Sequence, residues 1–490
     1  MILTRAQMIE AEQSAFANGV QAVDLMELAG RRLADFVRQQ SPSPGTCRVF
    51  AGKGNNGGDV LVAARHLAMA GWQIELEDVF PESALSPLPR EMLSRLRACQ
   101  SNPKSAGGRL VVLDGLLGIG AQGDPRQPVA SAIRRISNLR RSESALVVAA
   151  DIPSGLDADS GRAGSPCVQA DATVTMGFAK AGLIADAAIN QVGRLTVVDL
   201  DEVVPPDNAD PAELLVPGLL RSLQPPRDFD THKGRCGRIA VVAGSPGFTG
   251  AARLCSEAAV RAGGGLITLF VPPEIQPILA AACIPEVMVR SFENFDEMAT
   301  DSWDVVAVGP GFGRERDAMV LEFLRTAKQP CVVDADALNA LAAHSTDPLK
   351  CPPGPRLLTP HPGEMARLFP QQSRSRRAWL GDFLQTFDVT LLLKGARTII
   401  GARGHAPRFN TTGHPGMATG GMGDVLTGTC AALIGQGQSP IDAASLGAWV
   451  CGRAAEIAIA AGASQESLAP SDILDNLGAA FSGLRSAHTL

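Results

Sequence analysis

The hydrophobic positions in the first half of the chain form short β-branched runs that alternate with stretches of helical spacing. Apolar runs occur at 47–52 ("CRVFAG"), 145–150 ("ALVVAA") and 194–200 ("RLTVVDL"). The stretch "DVLVAARHLAMAG" after the first run has the spacing of an amphipathic helix. Alternation of this kind is typical of βαβ units, so it predicts an α/β domain with a parallel sheet.

A second series of the same kind begins at 237–245 ("GRIAVVAGS"). It continues through "GLITLFVPP", "DVVAVGPGFG", "PCVVDADAL" and "VTLLLKG". Between the two series, residues 204–230 are rich in proline and weakly periodic, which is typical of a linker. The two halves open on different glycine motifs, which argues against an internal repeat. We therefore predict two different α/β domains, at 1–215 and 225–490.

Composition and charge limit the classes of partner. The chain has 490 residues, 45% of them hydrophobic, and a formal net charge of -6, which argues against a nucleic-acid partner and favours small solutes. No run approaches the roughly 18 apolar residues of a membrane span, and the amino terminus has no signal-like apolar core. We therefore expect no membrane partner and a cytoplasmic location. The ten cysteines occur singly, as expected for reduced thiols rather than for a zinc site.

A glycine loop opens the first domain. Gly52, Gly54 and Gly57 have the G-x-G-x-x-G spacing of a dinucleotide-binding turn. The spacing alone fits a plain tight turn equally well. Two features also argue against an ordinary nicotinamide site, namely the pair Asn55 and Asn56 and the carboxylate of Asp59, which would repel a pyrophosphate near the start of the helix.

Oxygen donors follow three predicted strands of this domain. Asn56, Asp114 and Ser154 lie in the loops "GNNGGD" (54–59), "DGLLGIGAQGD" (114–124) and "DIPSGLD" (151–157). Open parallel sheets bind ligands at the carboxyl ends of their strands. A set of neutral and singly charged oxygens suits a monovalent or hard cation, although side chains of these types also cap turns routinely.

These three loops, in this order, resemble the amino-terminal domain of the NAD(P)HX epimerases across most of residues 1–215. The resemblance implies a Rossmann-like, three-layer αβα domain that interconverts the R and S epimers of hydrated NADH and NADPH. It also implies that Asn56, Asp114 and Ser154 bind K+. The substrate contacts that it implies are Asn55, Asn56, Gly57, Gly58, Asp59, Gly118, Ile119, Gly120, Ala121, Gln122, Gly123, Asp124 and Asp151.

Asp151 is the candidate acid or base of the epimerisation. Burial at a strand end can raise the pKa of a carboxyl group towards neutrality, which suits proton transfer. The alternative is that Asp151 only holds the ribose or its own loop. Epimerisation itself needs either the C–O bond to open and re-form or water to leave and return on the other face.

The motif "GGMGD" (420–424) introduces a predicted helix in the second domain. A glycine-rich turn at a helix N-terminus can hold a phosphate, and Asp424 can take the proton of a hydroxyl group that attacks a phosphoryl group. The alternative is that Asp424 caps the helix. The run of glycines before it favours the catalytic interpretation.

Other strand ends supply what such a site requires, each with a structural alternative. Lys394 and Thr398 are placed to meet nucleotide phosphates, although a lysine at a strand end is often solvated. Asp334 and Asp336 could hold Mg2+ or cap the next helix. The remaining candidates share positions in glycine or proline turns: His361 and Glu364 lie beside two prolines that could set the turn, and Gly311 and Ala251 leave room for a flat ring.

The motifs "HKGRCGRIAVVAGS", "VGPGFG", "DADALN", "TPHPGEMARL", "LKGART" and "GGMGDVLTG" resemble the ribokinase-like fold and, within it, the ADP-dependent NAD(P)HX dehydratases over residues 225 to about 485. The resemblance implies dehydration of the S epimer at the expense of ADP, giving AMP and phosphate, with Mg2+ and a homo-oligomeric assembly. The implied substrate contacts are Ala251, Gly311, His361 and Asp424. The implied nucleotide contacts are Lys394, Gly395, Ala396, Arg397, Thr398 and Gly423. One departure is His414, where the family commonly has asparagine.

Three alternative functions belong to other classes. An ordinary NAD-dependent dehydrogenase would explain the first glycine loop, but the second half lacks residues for hydride transfer. A vitamin or sugar kinase with a dinucleotide-binding regulatory domain would explain "GGMGD" equally well. A non-catalytic sensor of dinucleotides would not need Asp424.

Overall fold

The computed structural model describes residues 1–99, 107–224, 226–298, 302–370 and 375–486. The chain divides into two compact units, the first spanning Met1–Ala212 and the second beginning at Glu213. Residues 213–215 form a strand of the second unit's sheet, whereas the prediction placed them in the first domain. Pro225 and residues 487–490, which the predicted second domain includes, lie outside the described residues.

The first unit alternates strands and helices as the hydrophobic pattern predicts. Its elements are β1 (Ile2–Leu3), α1 (Arg5–Ala17), α2 (Ala22–Gln40), β2 (Thr46–Ala51), α3 (Asn55–Met69), β3 (Gln73–Leu76), α4 (Pro87–Ala98), β4 (Val111–Gly115), α5 (Val129–Ser142), β5 (Leu146–Ala150), β6 (Ala172–Met176), β7 (Ala179–Lys180), α6 (Ile189–Val192) and β8 (Arg194–Val198).

Six strands of this unit form a parallel sheet in the order β3-β2-β4-β5-β6-β8. Successive side chains of a strand point to opposite faces. Val49 accordingly packs into the cluster formed by α2 and α3, while Phe50 packs into the cluster formed with α5. The predicted three-layer αβα arrangement is therefore confirmed. The short strands β1 and β7 pair with each other in a separate parallel ribbon.

The second unit begins inside the stretch predicted as a linker, which folds into a strand and a short helix. Its elements are β9 (Glu213–Leu215), α7 (Pro217–Leu220), β10 (Arg238–Val242), α8 (Thr249–Arg261), β11 (Leu266–Val271), α9 (Gln276–Ala282), β12 (Val287–Ser291), β13 (Val305–Val308), α10 (Asp317–Thr326), β14 (Cys331–Val333), α11 (Ala335–Ala343), β15 (Arg356–Leu358), α12 (Pro362–Leu368), α13 (Arg376–Thr386), β16 (Thr390–Leu393), β17 (Ile399–Ala402), β18 (Arg408–Asn410), α14 (Met422–Gly435), α15 (Pro440–Ala460) and α16 (Pro470–Arg485).

Ten strands of this unit form one sheet in the order β12-β11-β10-β13-β14-β15-β16-β17-β18-β9. The strands from β12 to β16 are parallel, and β17 runs antiparallel to both of its neighbours. Ile239 and Val241 of β10 lie in a core cluster that includes residues of α8, α14, α15 and α16. The carboxyl ends of the parallel strands therefore meet at one edge, where the predicted site residues lie.

Among the described residues, one helix is long and apolar enough to cross a membrane by length and composition, namely α15. In this fold, 78% of its most apolar 18-residue window is buried inside the protein. Its apolar side chains belong to the core of the second unit.

Candidate active sites

The glycine loop after β2 is a tight turn in which backbone meets backbone. A Cβ at Gly57 would lie 2.1 Å from the carbonyl oxygen of Gly52, and a Cβ at Gly52 would lie 2.0 Å from that of Leu116. Helix α3 begins at Asn55, so Asp59 is its fifth residue and not part of its first turn. Asp59 therefore does not lie at the very start of the helix, where its carboxylate was expected to repel a pyrophosphate.

The structure brings Asn56, Asp114 and Ser154 together at the ends of β2, β4 and β5. Asp114 is buried, and its two carboxylate oxygens accept from the hydroxyl group and the backbone N–H of Ser154, at 2.6 and 2.8 Å. Burial raises the pKa of Asp114 to about 6, although the hydrogen bonds from Ser154 oppose the shift. The carboxylate is thus costly to ionise in the absence of a cation.

Asn56 is the third member of this cluster. Its Nδ2 donates to the carbonyl oxygen of Leu117 at 2.8 Å, and the Leu117 N–H donates to the Ser154 hydroxyl oxygen at 2.9 Å. The Oδ1 of Asn56 is buried and has no hydrogen-bond partner among the described residues. A buried amide oxygen without a donor beside a buried carboxylate fits a cation such as K+, which accepts oxygen ligands.

Asp151 follows β5 in a left-handed conformation with φ 61°. Its Oδ1 accepts from the Thr175 hydroxyl group and the Met176 N–H, both at 3.1 Å, and also from the ammonium group of Lys180. The Lys180 side chain is only 1% exposed and also donates to the hydroxyl oxygen of Thr175 and the carbonyl oxygen of Met176. Strained backbone of this kind persists where the surroundings hold it, as they do here.

Two residues of this region were not predicted from the sequence, Lys180 and Glu12. Burial, followed by the charges of Asp151 and Glu12, raises the pKa of Asp59, and the charge of Lys180 opposes this shift. Burial also raises the pKa of Glu12, with Lys180 opposing and Asp151 adding to the shift. A signal for Lys180 exists in "MGFAKAGL", where a single charge stands among apolar and small residues. No comparable signal marks Glu12 on α1.

The loop at 118–124 lies next to Asn56. A Cβ at Gly118 would lie 3.3 Å from the Asn56 Cβ, so this glycine lets the loop approach α3. The loop turns at Gly118, whose carbonyl oxygen accepts from the Ala121 N–H at 3.1 Å. At its far end Asp124 accepts from the Ser165 N–H at 3.0 Å. Asp124 therefore anchors the loop.

In the second unit, α14 begins with the predicted glycine turn. Its N-cap residue is Gly421, which has φ 94° and no capping side chain, so the helix-cap interpretation of Asp424 is wrong. A Cβ at Gly423 would lie 3.2 Å from the Lys394 Nζ, which places this turn against the end of β16. Burial, followed by the charge of Asp334, raises the pKa of Asp424 to about 7, while Lys394 opposes the shift. A carboxyl group with this pKa is suited to take up a proton near neutrality.

Lys394 forms a buried ion pair with Asp334. Its Nζ lies 2.8 Å from Asp334 Oδ1 and 3.8 Å from Glu364 Oε2. The Lys394 side chain is 18% exposed, so the alternative of a solvated lysine is wrong. Burial by itself would lower the pKa of Lys394, but the carboxylates of Asp334 and Glu364 outweigh it and raise the pKa.

The second oxygen of Asp334 accepts from the Thr427 hydroxyl group at 2.8 Å. Asp334 occupies the N-cap position of α11 but makes no capping hydrogen bond, and Asp336 accepts from the Gly313 N–H at 2.9 Å. Both oxygens of Asp334 are therefore used by protein donors. No cluster of three or more His, Cys, Asp or Glu side chains suited to a metal ion occurs in the described part of the chain. These residues do not form a Mg2+ cage of their own.

His361 is the N-cap residue of α12, and its own side chain makes the capping hydrogen bonds. Its Nδ1 accepts from the N–H groups of Gly363 and Glu364 at 3.0 and 3.3 Å, and Glu364 Oε2 accepts from the His361 N–H at 2.8 Å. The Nε2 atom of the ring lies 3.5 Å from Glu364 Oε1, and the side chain remains 51% exposed, so a ligand can still reach the ring. The two flanking prolines are therefore not the only determinant of this turn.

Gly311 and Ala251 lie against each other. A Cβ at Gly311 would lie 2.9 Å from the Ala251 Cβ, and Gly311 has φ 58°. The Ser245 hydroxyl group fixes this loop by donating to the Gly311 carbonyl oxygen at 2.8 Å. The small residues are thus required by the packing of the two loops, whether or not a ring also lies there.

The remaining nucleotide candidates lie between β16 and β17. Gly395 has φ 144°, and its carbonyl oxygen accepts from the Thr398 hydroxyl group at 3.0 Å. The Ala396 carbonyl oxygen accepts from Arg376. Arg397 is buried with φ 54°, and burial, followed by the charge of Arg376, lowers its pKa to about 10. Two guanidinium groups close to one turn would attract phosphate.

His414 does not reach the ion-pair network of Asp334. Its Nδ1 accepts from the Gly416 N–H at 3.1 Å and begins a short 3-10 turn. Burial lowers the pKa of His414, although Glu456 opposes this. An asparagine oxygen could accept the same hydrogen bond, so the departure from the family pattern preserves the local structure.

The folds and sites define two enzyme-type units, one Rossmann-like and one ribokinase-like. Residues 22–182 match the family described as YjeF-related protein N-terminus, and residues 239–477 match that described as NAD(P)H-hydrate dehydratase. The bifunctional NAD(P)H-hydrate repair enzyme of Moorella thermoacetica is 36% identical over 97% of this chain and 96% of its own length. That of Escherichia coli is 33% identical over 91% and 87%.

A solved structure supports the fold of the second unit. The ADP/ATP-dependent NAD(P)H-hydrate dehydratase from Bacillus subtilis, co-crystallised with ATP and Mg2+, is 25% identical with a TM-score of 0.50, covering 56% of this chain and 98% of its own. The chain belongs to the family of bifunctional NAD(P)H-hydrate repair enzymes. The family and the ribokinase-like fold predicted from the motifs are thereby confirmed, and the chain is an enzyme.

Proposed function

We propose that this chain repairs hydrated NADH and NADPH in two steps, epimerisation in the first unit and ADP-dependent dehydration of the S epimer in the second. The observation that carries the proposal is that each unit places a carboxyl group and a lysine at the same site. Asp151 accepts a hydrogen bond from Lys180, and Asp424 follows Gly423, where a Cβ would lie 3.2 Å from the Lys394 Nζ. Each pair lies where the parallel strands of its sheet end, the usual ligand edge of such folds.

In the first unit, the loops 54–59 and 118–124 bind the dinucleotide and Asp151 acts on C6 of its hydrated ring. The contacts of Asp151 support this role because all three donors reach Oδ1. Among the described residues, Oδ2 accepts no hydrogen bond, so that oxygen is available to the substrate.

Asn56, Asp114 and Ser154 hold K+ in this proposal. The ion would supply positive charge that compensates the buried Asp114 carboxylate. The chain's own part is to fix the loops: Ser154 ties the ends of β4 and β5 together, and Asn56 ties α3 to Leu117. The three loops that surround the substrate are thereby joined to one cluster.

In the second unit, Asp424 takes the proton of the C6 hydroxyl group as that oxygen attacks the terminal phosphoryl group of ADP. A P–O bond to the substrate forms, the P–O bond to AMP breaks, and the hydroxyl becomes a phosphate ester. The lone pair of ring nitrogen N1 then expels phosphate from C6, and C5 gives up a proton to restore the double bond. The products are the intact dinucleotide, AMP, phosphate and a proton.

The residues 394–398 and Gly423 bind the adenine nucleotide, and Ala251, Gly311, His361 and Asp424 contact the substrate. Asp334 holds the ammonium group of Lys394 in place, and this positive charge supports a role for Lys394 in attracting the nucleotide's phosphates. Mg2+ would be held by the nucleotide's phosphates and would supply positive charge there, since both oxygens of Asp334 already accept hydrogen bonds from Lys394 and Thr427.

The partners are the two hydrated dinucleotides and ADP, with ADP preferred over ATP because both activities are fused in one chain. The homo-oligomeric state and the cytoplasmic location stay predictions from the sequence. Size-exclusion chromatography with light scattering tests the first.

One assay tests the function as a whole. A mixture of the R and S epimers of hydrated NADH is supplied with ADP or ATP, and recovery of the reduced-nicotinamide absorbance is followed against the rate without enzyme. Complete recovery above that rate requires both activities. Recovery of the S portion alone would contradict the epimerase assignment, and no recovery would favour the alternative of a small-molecule kinase with a dinucleotide-binding regulatory domain.

A further inference from the structure

Helix α14 carries the candidate base Asp424, and a single polar side chain near its start ties it to the end of a strand. Thr427 is fully buried, and its hydroxyl group donates to Asp334 Oδ2 at 2.8 Å. Residues three apart lie on the same face of a helix, so Thr427 and Asp424 share one side of α14. In the described part of the chain, no other side chain among residues 422–427 makes a hydrogen bond.

The carboxylate that accepts from Thr427 also holds Lys394. Asp334 Oδ1 lies 2.8 Å from Lys394 Nζ, so the two oxygens of Asp334 bind two different elements, the end of β16 and helix α14. The glycine turn packs over this link, since a Cβ at Gly423 would lie 3.2 Å from Lys394 Nζ and 3.6 Å from Asp334 Oδ2. One buried carboxylate therefore sets the position of the lysine relative to the start of α14.

The body of α14 is held mainly by apolar packing. Every residue from 425 to 434 is buried, and most of these residues belong to the core cluster of the second unit. The N-cap residue, Gly421, makes no side-chain capping hydrogen bond. Apolar packing is not directional, whereas a hydrogen bond weakens steeply when its angle changes. The bond from Thr427 is thus the directional contact that lies nearest to Asp424 along the helix.

We propose that Thr427 is a positioning residue for the dehydration: its hydroxyl group, bound to Asp334, fixes the rotation of α14 that directs Asp424 towards the substrate hydroxyl group. This role rests on the proposed dehydration, in which Asp424 is the base. A base must lie within hydrogen-bond reach of the oxygen whose proton it takes, and a misplacement of about 1 Å can lower the rate about 10²-fold. Loss of the Thr427 hydroxyl group should therefore slow the chemical step and leave substrate binding nearly unchanged.

The test compares two variants of the full chain that separate the hydroxyl group of Thr427 from the packing of its side chain. Thr427→Val keeps the shape and removes the hydroxyl group. For the purified S epimer of hydrated NADH, with ADP and in parallel with ATP, its kcat should fall by about 10- to 100-fold while both KM values stay within about threefold. Thr427→Ser keeps the hydroxyl group and loses a buried methyl group, so its unfolding midpoint should fall while kcat stays close to that of the wild type.

Thr429→Val is the matched control. Thr429 is equally buried on the same helix, but its hydroxyl oxygen lies 3.7 Å from Cys451 Sγ on α15 and not at the strand ends. This variant should keep the wild-type kcat. Epimerisation of the R form by each variant checks that the first unit is intact. If Thr427→Val does not fold, Thr427→Ser and Thr427→Ala are compared instead, because both lack the methyl group and differ only in the hydroxyl group.

Two outcomes would overturn the proposal. One is a folded Thr427→Val variant with the wild-type kcat. The other is a Thr427→Ser variant as slow as Thr427→Val or Thr427→Ala, because the loss of rate would then follow packing and not the hydroxyl group. A wild-type chain that does not dehydrate the S epimer with either nucleotide would instead contradict the proposed function, so the two failures are distinguishable.

Discussion

Lys394 Nζ lies 2.8 Å from Asp334 Oδ1, and the Asp334 side chain is only 1% exposed. The carboxylate therefore depends on Lys394 and on the Thr427 hydroxyl group for its solvation. Since Lys394 follows β16 and Asp334 follows β14, this pair joins two strand ends across the intervening strand β15.

Removing the lysine should destabilise the protein and inactivate the second unit. Lys394→Met leaves a buried carboxylate without its cation, and we expect a loss of about 3–5 kcal/mol in the free energy of unfolding. Urea denaturation measures it. The double variant with Asp334→Asn should regain much of that stability but no dehydration activity, and Lys350→Met, in an exposed pair, should leave the stability nearly unchanged. Equal stability of Lys394→Met and wild type would contradict the ion pair.

The dehydration rate should depend on the ionisation of Asp424. With a pKa of about 7, the base form increases as pH rises through neutrality, so kcat should rise over that range. Asp424→Ala should abolish dehydration of the S epimer and leave epimerisation unchanged. Retained repair by this variant would remove Asp424 from the mechanism.

The same carboxyl group should limit stability at high pH. The pKa of Asp424 is raised in the folded state, so its favourable contribution is complete below about pH 4 and is lost as pH rises through about 7. Asp424→Asn should therefore have a higher unfolding midpoint than wild type at pH 8, and the difference should disappear at pH 4. A lower midpoint at pH 8 would contradict this.

Epimerisation should require Asp151 but substrate binding should not. Asp151→Asn keeps the size of the side chain and removes its ability to accept a proton as a carboxylate. We expect kcat for the R epimer to fall to the spontaneous rate, while the substrate Kd changes within a few fold. A near-normal rate would leave Asp151 with the alternative role of holding the ribose or the loop.

K+ should stabilise the first unit through Asn56. A ligand that binds only the folded state adds about 2.7 kcal/mol at 100 times its Kd. The unfolding midpoint should therefore be higher in KCl than in tetramethylammonium chloride at equal ionic strength, and Asn56→Ala should remove the difference. Asn138→Ala, an exposed position on α5, should keep it. An equal K+ effect in Asn56→Ala would place the ion elsewhere.

Gly311 should not tolerate a side chain. Gly311→Ala places a Cβ 2.9 Å from that of Ala251 at φ 58°, so two packed loops must separate. We expect a loss of about 1–3 kcal/mol in stability and a lower rate of dehydration. Gly478→Ala on α16 meets no atom within 4 Å and should be neutral or slightly stabilising. Wild-type stability of Gly311→Ala would show that the loops can adjust.

The sequence by itself determined the two α/β units, the strands that end at the sites and the family, because these depend on local properties. Hydrophobic periodicity specifies strands and helices, and glycine turns such as Gly52 to Gly57 are required by close contacts between backbone atoms. Each motif that resembles the family is a contiguous stretch of residues, so it can be recognised without knowing the fold. The prediction of a linker over residues 204–230 was the main local error, because β9 lies within it and pairs with the distant strand β18.

Only the tertiary structure decided which side chains meet. Thr427 and Lys394 reach Asp334 from 93 and 60 residues away, and Lys180 reaches Asp151 from 29 residues away. Whether an aspartate caps a helix, holds a metal or pairs with a lysine depends on these distant partners and on burial. Local patterns carry no information about either, because strand order and side-chain packing bring such residues together only in the folded chain.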